Sequence, residues 1–337
     1  MSRIFRSDDI TTGDRIIVRR KLADGHFSDI IGHVTALEPL TVRPQRVGGF
    51  PSAAAEVEIP AEIIHIVKKL SPRTIRNSEI RHVEEVSASA YPGQHERWTS
   101  DGGWFMRAGD GETHRTNSAV PLGPNAGFNP VPIEEIAEFY ASHSLPTLLL
   151  IPERIAKSAV KLPSLRFGEE KLVMTRSLDD LSDLDSGLSD PVTLASSDTP
   201  CPEWVELNGA PDSDLNRLPL HSDPETNVLR YFSVNDFAAI VRASITTAGD
   251  GSRWLGLASV KVSKDSRRQG LGGTLCTHVL RWAAGLEADG NGEILAPVLR
   301  ADHAYLQVAE GNDAAQMLYE KIGFIEHHRH RFATYHG

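Results

Sequence analysis

Two stretches constrain this chain more than the rest of it. Residues 254–275 read WLGLASVKVSKDSRRQGLGGTL, and residues 304–324 read AYLQVAEGNDAAQMLYEKIGF. Each reads as a strand, a turn and a helix. In the first, Val260 and Val262, with Lys261 between them, close an apolar run that meets a basic, glycine-rich bend of Arg267, Arg268, Gln269, Gly270, Leu271, Gly272, Gly273 and Thr274. Beyond it, Leu271, Leu275, Val279, Trp282 and Leu286 recur near every fourth residue, the spacing of one buried helical face. The glycines therefore open a helix. At a helix N-terminus, unpaired N–H groups and the positive end of the dipole favour a phosphate, and glycines let it approach closely. In the second stretch, Asn312 suits an N-cap, Ala315, Leu318 and Ile322 make an apolar stripe, and Gly323 can end the helix in a left-handed conformation.

The spacing sets two phosphate loops aside. A P-loop needs Gly-Lys-Ser/Thr where Gly273 is followed by Thr274 and Leu275, and a dinucleotide fingerprint needs a third glycine where Leu275 stands. What is present is Arg-x-x-Gly-x-Gly, on Arg267, Gly270 and Gly272. One helix and one strand later come Leu306, Val308 and then NxxAxxLYxxxGF, on Asn312, Ala315, Leu318, Tyr319, Gly323 and Phe324. The first pattern alone is common in surface turns. Together, in this order, they resemble the coenzyme A loop and the later signature of the GNAT (GCN5-related N-acetyltransferase) superfamily.

That resemblance implies acetyl transfer from acetyl-CoA to a primary amine by direct attack. It assigns the diphosphate to the loop from Gln269 to Thr274 and adds Arg267 and Arg268 to the cofactor-binding set. It gives pantetheine and the thioester oxygen to a splayed strand ending in Val260, Lys261 and Val262, and adds Asn312 to the cofactor set. Such a reaction needs a neutral amine, fixed donors for the oxyanion and a proton for the leaving thiolate. The resemblance makes Tyr319 that proton donor; the alternative is a buried aromatic between helix and sheet. Many relatives carry a Glu on the splayed strand, but residues 254–259 contain no acid. Glu310 and His303 read as solvated loop residues, so no base is assigned. A non-catalytic acyl-CoA sensor and a scaffold with a dead cofactor site are the rival readings.

Three hundred and thirty-seven residues exceed one such domain, so two or three are expected. A net charge of -10 argues against an extended nucleic-acid surface. Two cysteines, Cys201 and Cys276, give no disulfide framework. With no signal-like start and no aliphatic run long enough to span a bilayer, the expectation is a soluble cytoplasmic protein. Its partners would be acetyl-CoA and a small-molecule or protein amine, with no metal.

Residues 1–70 show five short β-rich runs, 15–20, 29–35, 40–43, 56–59 and 63–67, between turns. They suggest a small barrel and resemble the SH3-like domain of actinobacterial histone acetyltransferase-like proteins. Residues 72–225 are expected to form a degenerate GNAT-like lobe and linker, with a strand near 82–86 and a helix over 132–143. That helix ends in FYASHSLP, which compares with LYEKIGF, Tyr140 with Tyr319, as a worn internal repeat. The acidic run from Leu178 reads as a short helix and a solvated loop, and 201–223 as loop or linker. Residues 226–337 would be the catalytic lobe, a mixed central sheet flanked by helices. It opens on a hairpin across AGDG, carries a surface insertion between Trp282 and Tyr305, and closes on a solvated or core-edge strand, HHRHRFATYH. The fold class is thus α+β or α/β.

Overall fold

A computed structural model describes residues 9–182, 184, 192–209 and 227–337. Its contacts divide the chain into two units, one of residues 1–76 with 326–328, the other of residues 77–325 with 329–337.

The first unit holds β1 (Arg15–Lys21), β2 (Phe27–Leu37), β3 (Leu40–Pro44), β4 (Val57–Glu58) and β5 (Ile64–Lys69). Alternation along β1 turns Ile16 and Val18 into a core shared with Val34, Val42 and Ile59. The five strands fall where the sequence puts them. Among the described residues they pair in the order β4-β3-β2-β1-β5, with β4 and β5 as the two edges, so the sheet is open and does not show the compact barrel expected. Buried Arg15 donates to Gln45 Oε1 at 2.6 Å, to the Ser71 carbonyl at 3.0 Å and to Thr74 Oγ1 at 3.2 Å, tying the exit segment to β1.

The second unit begins with α1 (Asn77–Ser89), β6 (His95–Trp98), β7 (Phe105–Ala108), β8 (Ala119–Val120), α2 (Ile133–Ser142), β9 (Leu148–Pro152) and β10 (Leu165–Ser177). It continues through β11 (Leu194–Ser197), α3 (Pro202–Asn208), β12 (Val228–Val234), β13 (Ala239–Thr247), β14 (Arg253–Val262), α4 (Leu271–Ala283), β15 (His303–Ala309), α5 (Asp313–Lys321) and β16 (Ile325–Tyr335). Its strands form one sheet in the order β11-β12-β13-β14-β15-β10-β16-β9-β8-β7-β6. Two neighbouring pairs are parallel, β8 with β9 across α2 and β14 with β15 across α4. β10 follows the first of these pairs but lies against β15, and β16 follows the second but lies against β9. The core between the sheet and α4 and α5 gathers Leu172, Met174, Leu255, Leu257, Leu275, Val279, Trp282 and Leu306.

Residues 82–86 lie in α1, not a strand. Ile80, Val83, Glu84, Val86 and Ser87 are buried at helical spacing, and the two polar members hid the period. The helix after Gly270 ends at Ala283, leaving Leu286 56% exposed and off its buried face. Residues 202–208 form α3, with Trp204 buried against Tyr231 at 5.1 Å, where a linker was expected. Residues 210–223 of that linker and most of the acidic run lie outside the described residues; Leu178, Leu181 and Leu184 of that run are buried, not solvated. α2 joins a parallel strand pair as α4 does, whereas α5 does not, so FYASHSLP and LYEKIGF occupy different places.

β16 is interior rather than solvated or at an edge. Its polar residues find partners there: His330 Nδ1 lies 2.7 Å from Glu84 Oε1, and Arg329 and Arg331 pair with buried Glu170 at 2.6 and 2.9 Å. Buried charges are tolerated when paired in this way. Among the described residues no helix is long and apolar enough to cross a membrane, and both cysteines are free.

Candidate active site

β14 is where the sheet opens. Its parallel pairing with β15 runs from Trp254↔His303 to Leu257↔Leu306 and stops. β15 continues to Ala309, held on its other side by β10. From Ala258 onward, therefore, β14 lacks a ladder partner on the β15 side, and its residues pass from buried to partly exposed. A bulge marks the change: Arg242 faces Ala258, Ile240 faces Lys261, and Ser259 takes a φ of +53°. Bulges bend a strand and increase its twist. This one also shifts the side-chain alternation. Leu255 and Leu257 enter the α4 core before it; Val260 and Val262 pack there after it.

Past Val262 the chain turns through a short 3-10 segment, Lys264–Ser266, and Arg268 adopts a φ of +63°. Gly270 is the N-cap of α4 at φ +80° and offers no side-chain cap to the first turn. The N–H groups of that turn are thus available to a ligand. Around Gly270 and Gly273 an added Cβ would meet nothing within 4 Å. Gly272 differs: a Cβ there would stand 3.3 Å from Leu318 Cδ1 and Val262 Cγ2, so this glycine lets α5 and β14 close on α4. Arg267 Nε donates to the Val262 carbonyl at 3.4 Å and Gln269 Nε2 to the Asp265 carbonyl at 3.2 Å, which hold the loop. Lys261 Nζ donates to the Asn208 carbonyl at the end of α3. Leu271 and Thr274 are half-buried in the first turn.

Asn312 caps α5, its side-chain oxygen accepting from the Ala315 N–H at 3.3 Å. Tyr319 lies in the same helix, 7% exposed, in the core shared with Leu275, Cys276 and Leu306. Its hydroxyl makes no hydrogen bond to another described residue. Burial, with Cys276 close by, raises its pKa well above the ordinary phenol value. Gly323, at φ +82°, ends α5 with the Arg176 guanidinium against it, and that guanidinium donates to the Ile322 carbonyl at the helix's negative end.

Neither acid-base group weighed from sequence is poised at the opening. Glu310 pairs with Arg329 at 2.8 Å. His303 sits at the other end of β15, its ring 4.6 Å from that of Trp254. Sequence reasoning missed Tyr91, which with Ala90 packs on Ala258, the first residue of β14 past the last pair. Its partners Arg115 and Arg242 lie elsewhere in the chain, and no local motif marks it out.

The mixed sheet of the second unit, with its helices and the opening of β14 from β15, is GNAT-like. The GCN5-related N-acetyltransferase from Kribbella flavida shares that fold, with a TM-score of 0.53 at 17% identity over 76% of this chain and 95% of that one. More narrowly, the chain belongs to the family described as "Probable histone acetyltransferase Rv0428c C-terminal", whose model matches residues 77–333. The Mycobacterium tuberculosis (strain ATCC 25618 / H37Rv) protein "Probable histone acetyltransferase Rv0428c" is 31% identical over 331 residues, 95% of this chain and 94% of that protein.

Proposed function

We propose that this protein is an N-acetyltransferase that moves the acetyl group of acetyl-CoA to a primary amine by direct attack. The observation that carries the reading is the opening of β14 from β15 directly before the uncapped N-terminus of α4. In it, the freed backbone of Val260, Lys261 and Val262 binds pantetheine and the thioester oxygen. The N–H groups of Leu271, Gly272 and Gly273, flanked by Arg267, Arg268, Gln269, Gly270 and Thr274, hold the diphosphate. Asn312 shapes the site by starting α5. Tyr319 protonates the leaving thiolate. Its raised pKa keeps the phenol protonated, and burial penalises the thiolate anion as well, so the donor and acceptor rise together. The parallel pairs across α2 and α4 support a tandem arrangement whose first lobe, with no such loop, does not bind coenzyme A. The reaction would run in a reducing cytoplasm.

Calorimetry with acetyl-CoA tests this. The wild type should bind and Gly273→Trp, which fills the open space at the first turn, should not, with its melting temperature unchanged. Gly272→Trp would be the weaker probe, since it collides with Leu318 and Val262. A wild type that leaves acetyl-CoA unbound sinks the reading. The second reading, a non-catalytic acyl-CoA sensor, is favoured by the absence of an acid on β14; binding without turnover of any primary amine would establish it.

A further inference from the structure

The face of the sheet away from α4 holds a group of side chains that the chemistry above leaves unused. Tyr91 follows α1 and is 4% exposed. Two guanidiniums lie near its ring centre, Arg242 of β13 at 4.5 Å and Arg115, between β7 and β8, at 4.9 Å. Arg115 Nη1 also donates to the Tyr91 hydroxyl at 2.8 Å. Among the described residues nothing accepts the hydroxyl's own proton.

Arg242 is 1% exposed; its Nη2 donates to the Ala90 carbonyl at 2.8 Å, and the rest of its guanidinium faces the phenols of Tyr91 and Tyr231. The ionisable groups that press on it are phenols: Tyr91, Tyr231 of β12 and Tyr305 of β15. A guanidinium this deeply buried needs a counter-charge nearby. Tyr91, with a second guanidinium on its hydroxyl, is the phenol placed to supply one. Burial by itself pushes a phenol's pKa up, as it does for Tyr305 and Tyr140; for Tyr91, Arg115 and Arg242 outweigh burial and bring it below the ordinary value. Further charged groups surround them: Arg107 of β7 donates to the Tyr91 carbonyl at 2.8 Å and is itself faced by Glu96 of β6 and Glu84 of α1, and Lys171 of β10 faces Arg115.

The position fits catalysis. Tyr91 rests on Ala258, where β14 leaves β15. Arg115 lines, with Ser87, Ala88 and Gln307, a cavity of about 10 Å³, room for about one water. Gln307 is the residue of β15 just past the last pair with β14.

We infer that Tyr91 is the general base of this site, its oxygen, held by Arg115 Nη1 beside the opening of β14, taking a proton from the acceptor's ammonium. This rests on the acetyl-transfer reading. The first nitrogen proton goes to the Tyr91 oxygen, freeing the lone pair. That pair forms the C–N bond at the thioester carbonyl, and the C–S bond breaks with its electrons going to sulfur. Tyr319 protonates the thiolate and is restored by the second nitrogen proton. Tyr91 then releases its proton to solvent, so both phenols return to their starting states and one proton is produced per turnover.

The test is Tyr91→Phe, which keeps the ring beside both guanidiniums and removes only the oxygen to which Arg115 donates. Ultraviolet difference spectra should show one phenolate in the wild type, ionised below the ordinary tyrosine range, that the variant lacks. Identical spectra across that range overturn the inference. With an amine that the wild type acetylates, kcat/KM in the variant should fall by roughly 10²-fold or more and climb with pH until the amine itself deprotonates. Acetyl-CoA affinity should not change. Equal pH profiles with binding intact overturn the role of Tyr91 alone; a wild type that cannot bind acetyl-CoA overturns the underlying reading and this one with it.

Discussion

At the scale of residues, Tyr319 and Tyr91 make a contrasted pair. Both phenols are buried, yet apolar neighbours and Cys276 keep the first protonated while Arg115 and Arg242 draw the second toward ionisation. Two like groups pushed apart in pKa are suited to acid and base roles. For Tyr319→Phe we expect kcat to fall roughly 10²-fold while acetyl-CoA affinity and melting temperature hold, because the hydroxyl bonds to no described residue. Steady-state kinetics beside calorimetry checks this, and an unchanged kcat would return Tyr319 to a packing role. Tyr319 could be singled out from sequence because a signature surrounds it in LYEKIGF. Tyr91 was not, because its environment comes from Arg115 and Arg242, far away in the chain and unrelated by any spacing.

At the scale of elements, what could be read was what is set locally. Asn312 was expected to cap a helix and does; Gly270 and Gly323 were expected at helix ends and take positive φ there. The same local logic failed for α1. Glu84 and Ser87 are buried on its inner face by partners, His330 Nδ1 for Glu84 and Gln307 Nε2 for Ser87, that a sequence window does not contain. The opening of β14 was anticipated only through family resemblance, since the bulge at Ser259 leaves no mark in composition. Asn312→Ala removes the oxygen that caps Ala315 and should cost about 1 kcal/mol. It should show as a lower denaturation midpoint with an unchanged m-value, and Asn312→Asp, which can also cap, should restore it. If instead the alanine variant loses acetyl-CoA affinity at full stability, Asn312 contacts the ligand directly.

At the scale of the whole molecule, the exchange of β10 and β16 decides what can fold alone. Residues 226–337 were expected to be a lobe of their own, yet β15 pairs along Lys171–Ser177 with β10, which precedes that lobe in sequence. Removing β10 and the residue after it would leave the inner edge of β15 unpaired and strip Leu172, Met174 and Leu178 from the core under α4 and α5. Burying side chains of this size is worth about 1.5–3 kcal/mol each, so their loss alone approaches the 5–15 kcal/mol by which domains are stable. β16 would at the same time lose its partner β9, with which it pairs from His330 to Thr334. No pattern within either half announces the exchange, because a strand's sequence records its burial and not the neighbour it will meet. We expect a fragment of residues 226–337 to be insoluble or to melt without a cooperative transition, and co-expression with residues 1–225 to recover a folded complex that binds acetyl-CoA. Circular dichroism melts and calorimetry on both preparations decide the matter. A cooperative, acetyl-CoA-binding fragment on its own would mean that β10 adds little to the site, and that the two halves are joined for a reason other than the stability of this sheet.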